Sequence, residues 1–406
     1  MAKILYCGDA NVQTGFGRVA ENLLPHLAKE HDLHILAVNW WGDDPRPSYG
    51  KWYPAGIHGS DPFGSHRIAA LVQDIQPDLV WVTNDFWIGI QLWEAIKPLQ
   101  EKIKFKFYCY TPIDSYGIFR EVMPPVMEWD GIGTYTKFAA IELEKAGYTK
   151  HVDIVPHGID REMFFPLDKM ECRRELGVPE DSFIVFNGNR NQPRKRIDLT
   201  IKGFIKFAKD KPDARLWLNM GTKDMGWDLV PLFKRVAAEE GYDPTGKLIL
   251  TSKDFSTSNC LPVDKLNKVY SACDIGVNTC IGEGWGLVNF EHAATRVAQL
   301  VPDHTSLKEI FDEIPRIECV GSETDRNYGL ERPLPCPESM AELLTGYYED
   351  RDYLNKIANW CYQRACCQDF EWPVIGQTML EIVERLLSTN KEEQEFKGFG
   401  TPAKID

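Results

Sequence analysis

The chain has 406 residues, 43% hydrophobic and 26% charged, which is ordinary globular composition and a length for two or three domains. Its net charge is −14, divided as −6 over residues 1–160 and −8 over the rest. Acidity spread over both halves speaks against broad nucleic-acid or anionic-membrane binding, which needs a basic face. No apolar run reaches the roughly 18 residues of a membrane span. The start, MAKILYCGDA, goes straight into a strand-like run without a basic leader, so a cytoplasmic location is expected, the host cytoplasm if the source is viral. The 11 cysteines are scattered, without a CxxC pair, and read as reduced structural thiols.

In chain order, KILYCGD (3–9) reads as a strand and GRVAENLLPHLAKE (17–30) as an amphipathic helix. Strand-like runs follow at 31–41, 78–85, 102–114, 129–136 and 152–158, with helical patterns at 67–76 and 137–148. VPHGIDREMFFPLD (155–168) reads as a linker, after which the rhythm restarts. Strands are expected at 183–189, 214–221, 247–252 and 274–281, with helices at 196–210 and 264–274. The β/α alternation predicts two doubly wound α/β halves facing across a cleft. We expect an N-terminal unit over 1–165, a C-terminal unit over 166–373, a helix over 374–390 returning to the first unit, and a polar tail over 391–406. Ligands of such sheets collect at the carboxyl ends of the strands.

Three post-strand loops carry candidate chemistry. In GDANVQTGFGRVAENLL (8–24), Gly15, Phe16 and Gly17 open a helix whose free N–H groups suit a phosphate, or form a plain strand–helix turn. NGNRNQPRKRIDL (187–199) gathers Arg190, Arg194, Lys195 and Arg196, either a solvated loop or a grip on a diphosphate. In GEGWGLVNFEH (282–292), Glu283 sits in a glycine turn beside Gly284, Trp285, Gly286 and Leu287, and Glu291 follows about two helical turns later. Such acids are either solvated helix residues or acceptors for ligand hydroxyls. The chain has no GxxxxGK[ST], HExxH or GxSxG motif. The acid pair Asp43–Asp44 reads as a solvated loop, so no metal site is expected.

Taken together, these pieces resemble the retaining glycosyltransferases of the two-Rossmann (GT-B) fold, most closely family 4. Glu283 and Glu291 match that family's E-x7-E signature, and Arg190 and Lys195 its R-x4-K pair. KLNKVYSACDIGV (265–277), VPHGIDREMFFP (155–166), TGFGR (14–18) and DFEWPVIGQTML (369–380) match further family stretches in order. The chain departs from the family where Asp114 stands near the usual histidine, and where SLKEI (306–310) lacks the usual glycines. TGFGR with NWWGDD is similar to a branch common in phage and archaeal genomes.

The resemblance implies transfer of a sugar from a UDP- or GDP-linked donor to an acceptor hydroxyl, with retention and without a metal or other cofactor. It implies that Arg190 and Lys195 neutralise the leaving diphosphate, helped by Gly15, Phe16, Gly17 and the helix start at Gly284–Leu287. Glu283 then holds the sugar, Glu291 the ribose, and Asp114 positions sugar or acceptor. The acceptor stays open between a glycan, a lipid-linked sugar, a protein and hydroxymethylated bases of phage DNA. Trp40, Trp41, Trp52, Phe86 and Trp87 either line the acceptor side or fill the core. The rival readings are an epimerase or phosphorylase on the same scaffold, or a binding protein without catalysis.

Overall fold

The computed structural model describes residues 1–43, 45–56, 61–251, 261–326 and 329–388. Asp44, the last residue of 247–252, positions 389–390 of the returning helix and the tail 391–406 lie outside the described residues.

The first sheet holds seven parallel strands: β1 (Lys3–Asp9), β2 (Asp32–Val38), β3 (Lys51–Pro54), β4 (Leu79–Thr83), β5 (Lys106–Tyr110), β6 (Gly131–Thr134) and β7 (Val152–Ile154). Their order is β3-β2-β1-β4-β5-β6-β7. The second sheet holds β8 (Phe183–Asn187), β9 (Ala214–Leu218), β10 (Leu248–Leu250), β11 (Ile275–Val277) and β12 (Ala298–Leu300), also parallel, in the order β10-β9-β8-β11-β12. β13 (Cys319–Thr324) and β14 (Glu331–Pro335) form a separate antiparallel pair. The two doubly wound α/β units expected from the alternation are therefore present.

Helices cover both sheet faces, so the central strands are buried on both sides and carry no polar alternation. Ile4, Leu5, Tyr6 and Cys7 of β1 and all five residues of β4 are buried. The helix Gly15–Glu30 starts two residues earlier than the apolar period suggests, because the Thr14 hydroxyl accepts from Gly17 N at 2.9 Å and caps it. A Cβ on Gly17 would run into the Val12 carbonyl, so that turn needs glycine.

The final helix, Trp372–Ser388, begins two residues before the expected 374 and lies against the first domain. Its Arg385 Nη2 donates to both oxygens of Asp153, at 2.7 and 2.6 Å. A Cβ on Gly376 would collide with the ring of His26 in the first helix, so the two helices pack very closely there. Ile159 N donates to Phe370 O at 2.7 Å, joining the outgoing linker to the returning chain.

In each sheet the strand order reverses beside the first strand of its unit: between β1 and β4, and between β8 and β11. A crevice forms outside the carboxyl ends at such a reversal. The two crevices face each other. Glu309 of the second unit accepts from Lys137 N and Phe138 N, at 3.0 and 2.8 Å, and so caps the helix Lys137–Lys145 of the first.

Candidate active site between the two sheets

The second unit supplies two loops. After β8 the chain makes a single 3-10 turn, Pro193–Lys195, and Arg196 takes φ 46° before the helix Ile197–Ala208. After β11 it runs through Asn278 to Gly286, which takes φ 90° at the start of the helix Leu287–Ala294. Buried hydroxyls tie the loops together. Thr200 Oγ1 and Thr279 Oγ1 are 2.6 Å apart, and Thr279 Oγ1 donates to Arg196 O at 2.9 Å. Ile281 N donates to Arg194 O at 2.9 Å.

This frame sets Lys195 Nζ against Glu283 Oε1 in a hydrogen-bonded ion pair, with both residues buried. Arg194 Nη1 lies 3.6 Å from Glu283 Oε2 and donates to Gly282 O. Ser306 Oγ donates to Glu283 O at 2.6 Å, which holds the turn from behind. Thr305 beside it takes φ 46°, so this glycine-free turn still uses the left-handed region.

The first unit answers with Asp114, in the loop after β5. Its Oδ2 is 3.3 Å from Arg194 Nη1 and its Oδ1 is 3.2 Å from Arg332 Nη1. A Cβ on Gly282 would overlap the Asp114 carbonyl oxygen, which accounts for the glycine. A Cβ on Gly284 would meet Pro112 in the same loop. Asp85, after β4, heads the helix Phe86–Ile96 beside the same charges. At the other end of the cleft, Arg18 Nη1 lies 3.5 Å from Glu291 Oε1.

The charges set the protonation states. Burial pushes the Glu283 carboxyl up, but Lys195 and Arg194 outweigh it and hold it below the usual carboxylate range. Burial acts likewise on Asp114, and Arg194, Arg332 and Lys195 again win. Asp85 goes the other way: burial and the neighbouring Asp114 push it up to about 7, against Arg194 and Arg332. Burial also raises Glu291, only partly offset by Arg18. His157 is buried and pushed down to about 3, so its imidazole is neutral.

The structure thus gathers Lys195, Glu283 and Asp114 in one cluster, with Gly284 against the loop that carries Asp114. Gly15, Phe16 and Gly17 open the first helix across the cleft, where a Cβ on Gly15 would sit 3.6 Å from Leu287 Cδ1. Trp285 is buried against His157 and Phe370, and Glu291 is buried beside Arg18. Arg190 is placed apart: it is bonded to Asp224 at 2.8 and 3.2 Å, and its side chain is 48% exposed. Arg194, not Arg190, is the arginine of this loop that reaches both Asp114 and Glu283. Of the aromatics, Trp40 and Phe86 are buried, Trp52 and Trp87 half-buried and Trp41 exposed.

Sequence reasoning did not single out Asp85, Arg18, Arg332 or His157. Asp85 ends the apolar run 78–85, and a post-strand acid was the available signal. Arg332 lies outside the three candidate post-strand loops and carried none. Among the described residues, no three His, Cys, Asp or Glu side chains are grouped as a metal would need, and no helix is long and apolar enough to cross a membrane.

No protein-family model matches the chain. It is similar to a D-inositol 3-phosphate glycosyltransferase of Segniliparus rotundus, 31% identical over 163 residues, covering 40% of this chain and 32% of the relative. A protein of the same name from Nocardioides sp. is 28% identical over 245 residues, covering 59% and 50%. The chain therefore spans a third to a half of the length of these relatives. Among solved structures, sucrose-phosphate synthase of Thermosynechococcus elongatus aligns at TM-score 0.73 with 15% identity, over 95% of this chain and 99% of that one. Anabaena Alr3699/HepE in complex with UDP and glucose aligns at 0.68 with 13% identity, over 95% and 100%. These likenesses establish the fold.

Proposed function

We propose that this chain, which has the GT-B fold and is similar in sequence to family 4-type glycosyltransferases, moves a sugar from a nucleotide-sugar to an acceptor hydroxyl with retention of anomeric configuration. The observation that carries the reading is the cluster Lys195–Glu283–Arg194–Asp114, built where the carboxyl ends of two parallel sheets face each other. In this reading Lys195 and the arginines of its loop neutralise charge on the departing diphosphate, a task for fixed cations at a buried site. Arg190 joins them by leaving Asp224, and the N–H groups at the start of the helix Leu287–Ala294 add a positive dipole. No metal is needed for that neutralisation.

Glu283, already ionised, accepts hydroxyls of the sugar. Glu291 accepts the ribose hydroxyls and exchanges Arg18 for them. The acceptor hydroxyl approaches from the leaving-group side and passes its proton to the departing phosphate oxygen. Asp114 and Asp85 stand on the acceptor's side of the cleft, and Asp114 orients the hydroxyl. Contacts across the cleft exclude water and limit hydrolysis of the donor.

The named relatives act on an inositol phosphate and one structural neighbour holds UDP and glucose, so UDP-sugars are the first donors and polyol phosphates the first acceptors to assay. Glycans, proteins and hydroxymethylated DNA complete the acceptor panel. The test is nucleoside diphosphate release from UDP- and GDP-sugars, followed by the anomeric configuration of the product by NMR. An inverted product overturns the retaining reading. Epimerised donor with no transfer overturns the transferase reading.

A further inference from the structure

Arg332 stands in the cleft without a place in the donor-binding set. By chain order β14 belongs to the second unit, since it follows β12 and precedes the helix Pro337–Glu349. By packing it is fastened to the first. Leu330 is buried in the apolar cluster that contains Ile113, Ile118 and Met123 of the first unit. Tyr116 and Glu331 exchange both backbone hydrogen bonds, each 3.0 Å. The Glu331 carboxylate accepts from Ser322 Oγ and Thr324 Oγ1, at 2.6 and 2.7 Å, which locks the hairpin's two strands together.

Side chains alternate along a strand, so Leu330 and Arg332 share the face turned to the first unit. Arg332 is 9% exposed, and its Nη1 is buried without a hydrogen-bond acceptor, although Asp114 Oδ1 is at ion-pair distance, 3.2 Å. The same Nη1 lies 2.6 Å from where a Cβ on Gly282 would be, so it borders the glycine turn that carries Glu283.

The charge balance points the same way. Arg194, Lys195 and Arg332 face Asp114, Glu283 and Asp85. Asp85 keeps its proton up to about pH 7, so below that three cations meet two carboxylates. A guanidinium presents a planar fork of donors that matches a phosphate.

We propose that Arg332, carried to the cleft by the β13–β14 hairpin, is an oxyanion-binding residue whose ligand is a phosphate group, on the donor's diphosphate or on the acceptor. The donor half of this statement rests on the nucleotide-sugar reading. The full chain, R332Q and R332K are titrated calorimetrically with pyrophosphate, with UDP and GDP, and with inorganic phosphate at saturating UDP. R332Q is expected to lose about tenfold or more in affinity, the scale of a lost charge-assisted hydrogen bond. R332K, which keeps the charge without the fork, falls between.

A loss with pyrophosphate and UDP assigns the donor's diphosphate. A loss confined to inorganic phosphate assigns an acceptor phosphate. Unchanged affinities for every probe in R332Q, with an unchanged melting temperature, overturn the proposal, as does a wild type that binds no probe. If R332Q does not fold, unchanged affinities in R332K overturn it. A wild type that binds pyrophosphate or phosphate but neither nucleotide, with a loss in R332Q, sustains Arg332 and sinks the nucleotide-sugar reading.

Discussion

Asp114 Oδ2 stands 3.3 Å from Arg194 Nη1, one from each side of the cleft, so this ion pair is one of the contacts that join the two domains. Arg194 also reaches Glu283, so one guanidinium joins an acid of the first domain to an acid of the second. Arg194→Ala is therefore expected to loosen closure as well as lower turnover. The check is kcat together with the fraction of compact molecules in small-angle scattering. Wild-type values in both would remove Arg194 from the account.

Lys195→Ala is expected to lower kcat by roughly 10²–10³-fold, the scale of lost transition-state charge stabilisation. It also takes the hydrogen-bonded cation from a buried carboxylate that keeps only Arg194 at 3.6 Å and Asn278 at 3.4 Å, a loss of at most about 3–5 kcal/mol. Adding Glu283→Gln relieves the stability loss but does not restore turnover. Denaturant melts and kinetics of the two variants separate the effects.

Arg190 poses a sharper question, because it is bonded to Asp224. If it leaves Asp224 for the diphosphate, Arg190→Ala lowers kcat on the same scale as Lys195→Ala, and Asp224→Asn tightens pyrophosphate binding by freeing the arginine. Near-wild-type turnover in Arg190→Ala would hand the phosphate role to Arg194.

Glu291→Gln is expected to weaken UDP or GDP binding about tenfold or more by removing a charged acceptor of hydrogen bonds, and to change kcat much less. Unchanged nucleotide affinity by calorimetry would end the ribose assignment.

Asp85 predicts a pH dependence. Its folded pKa is raised from 3.8 to about 7, so the folded state binds the proton more tightly than the unfolded one. Its contribution to stability therefore falls as pH rises from about 4 to about 7, and the ionised form weakens the fold above that. Asp85→Asn should melt higher than wild type at pH 8, with the gap narrowing towards pH 5. A gap that does not vary with pH would contradict the shift.

The β/α alternation was legible because each long strand is buried on both faces and reads as an apolar run. β3 and β12 were not. KWYP is a half-buried edge strand, and Ala298–Leu300 follows the buried helix Leu287–Ala294 so soon that the two read as one apolar stretch. Glu283, Glu291 and Lys195 were legible because glycine loops and fixed spacings mark them. Arg332 was not, because a hairpin far along the chain delivers it, and the packing of Leu330 and the Tyr116–Glu331 backbone bonds bring it near Asp114. The R-x4-K resemblance ranks Arg190 above Arg194, whereas the loop with its 3-10 turn at Pro193 sets Arg194 against the carboxylates and leaves Arg190 on Asp224.

The most direct test of the central claim is nucleoside diphosphate release from a panel of UDP- and GDP-sugars, measured for the wild type and Lys195→Ala side by side. The wild type is expected to release nucleoside diphosphate from at least one donor, faster with a transferable acceptor, and the variant roughly 10²–10³-fold more slowly. Equal rates in the two proteins, or no release and no nucleotide binding by the wild type, would contradict that claim.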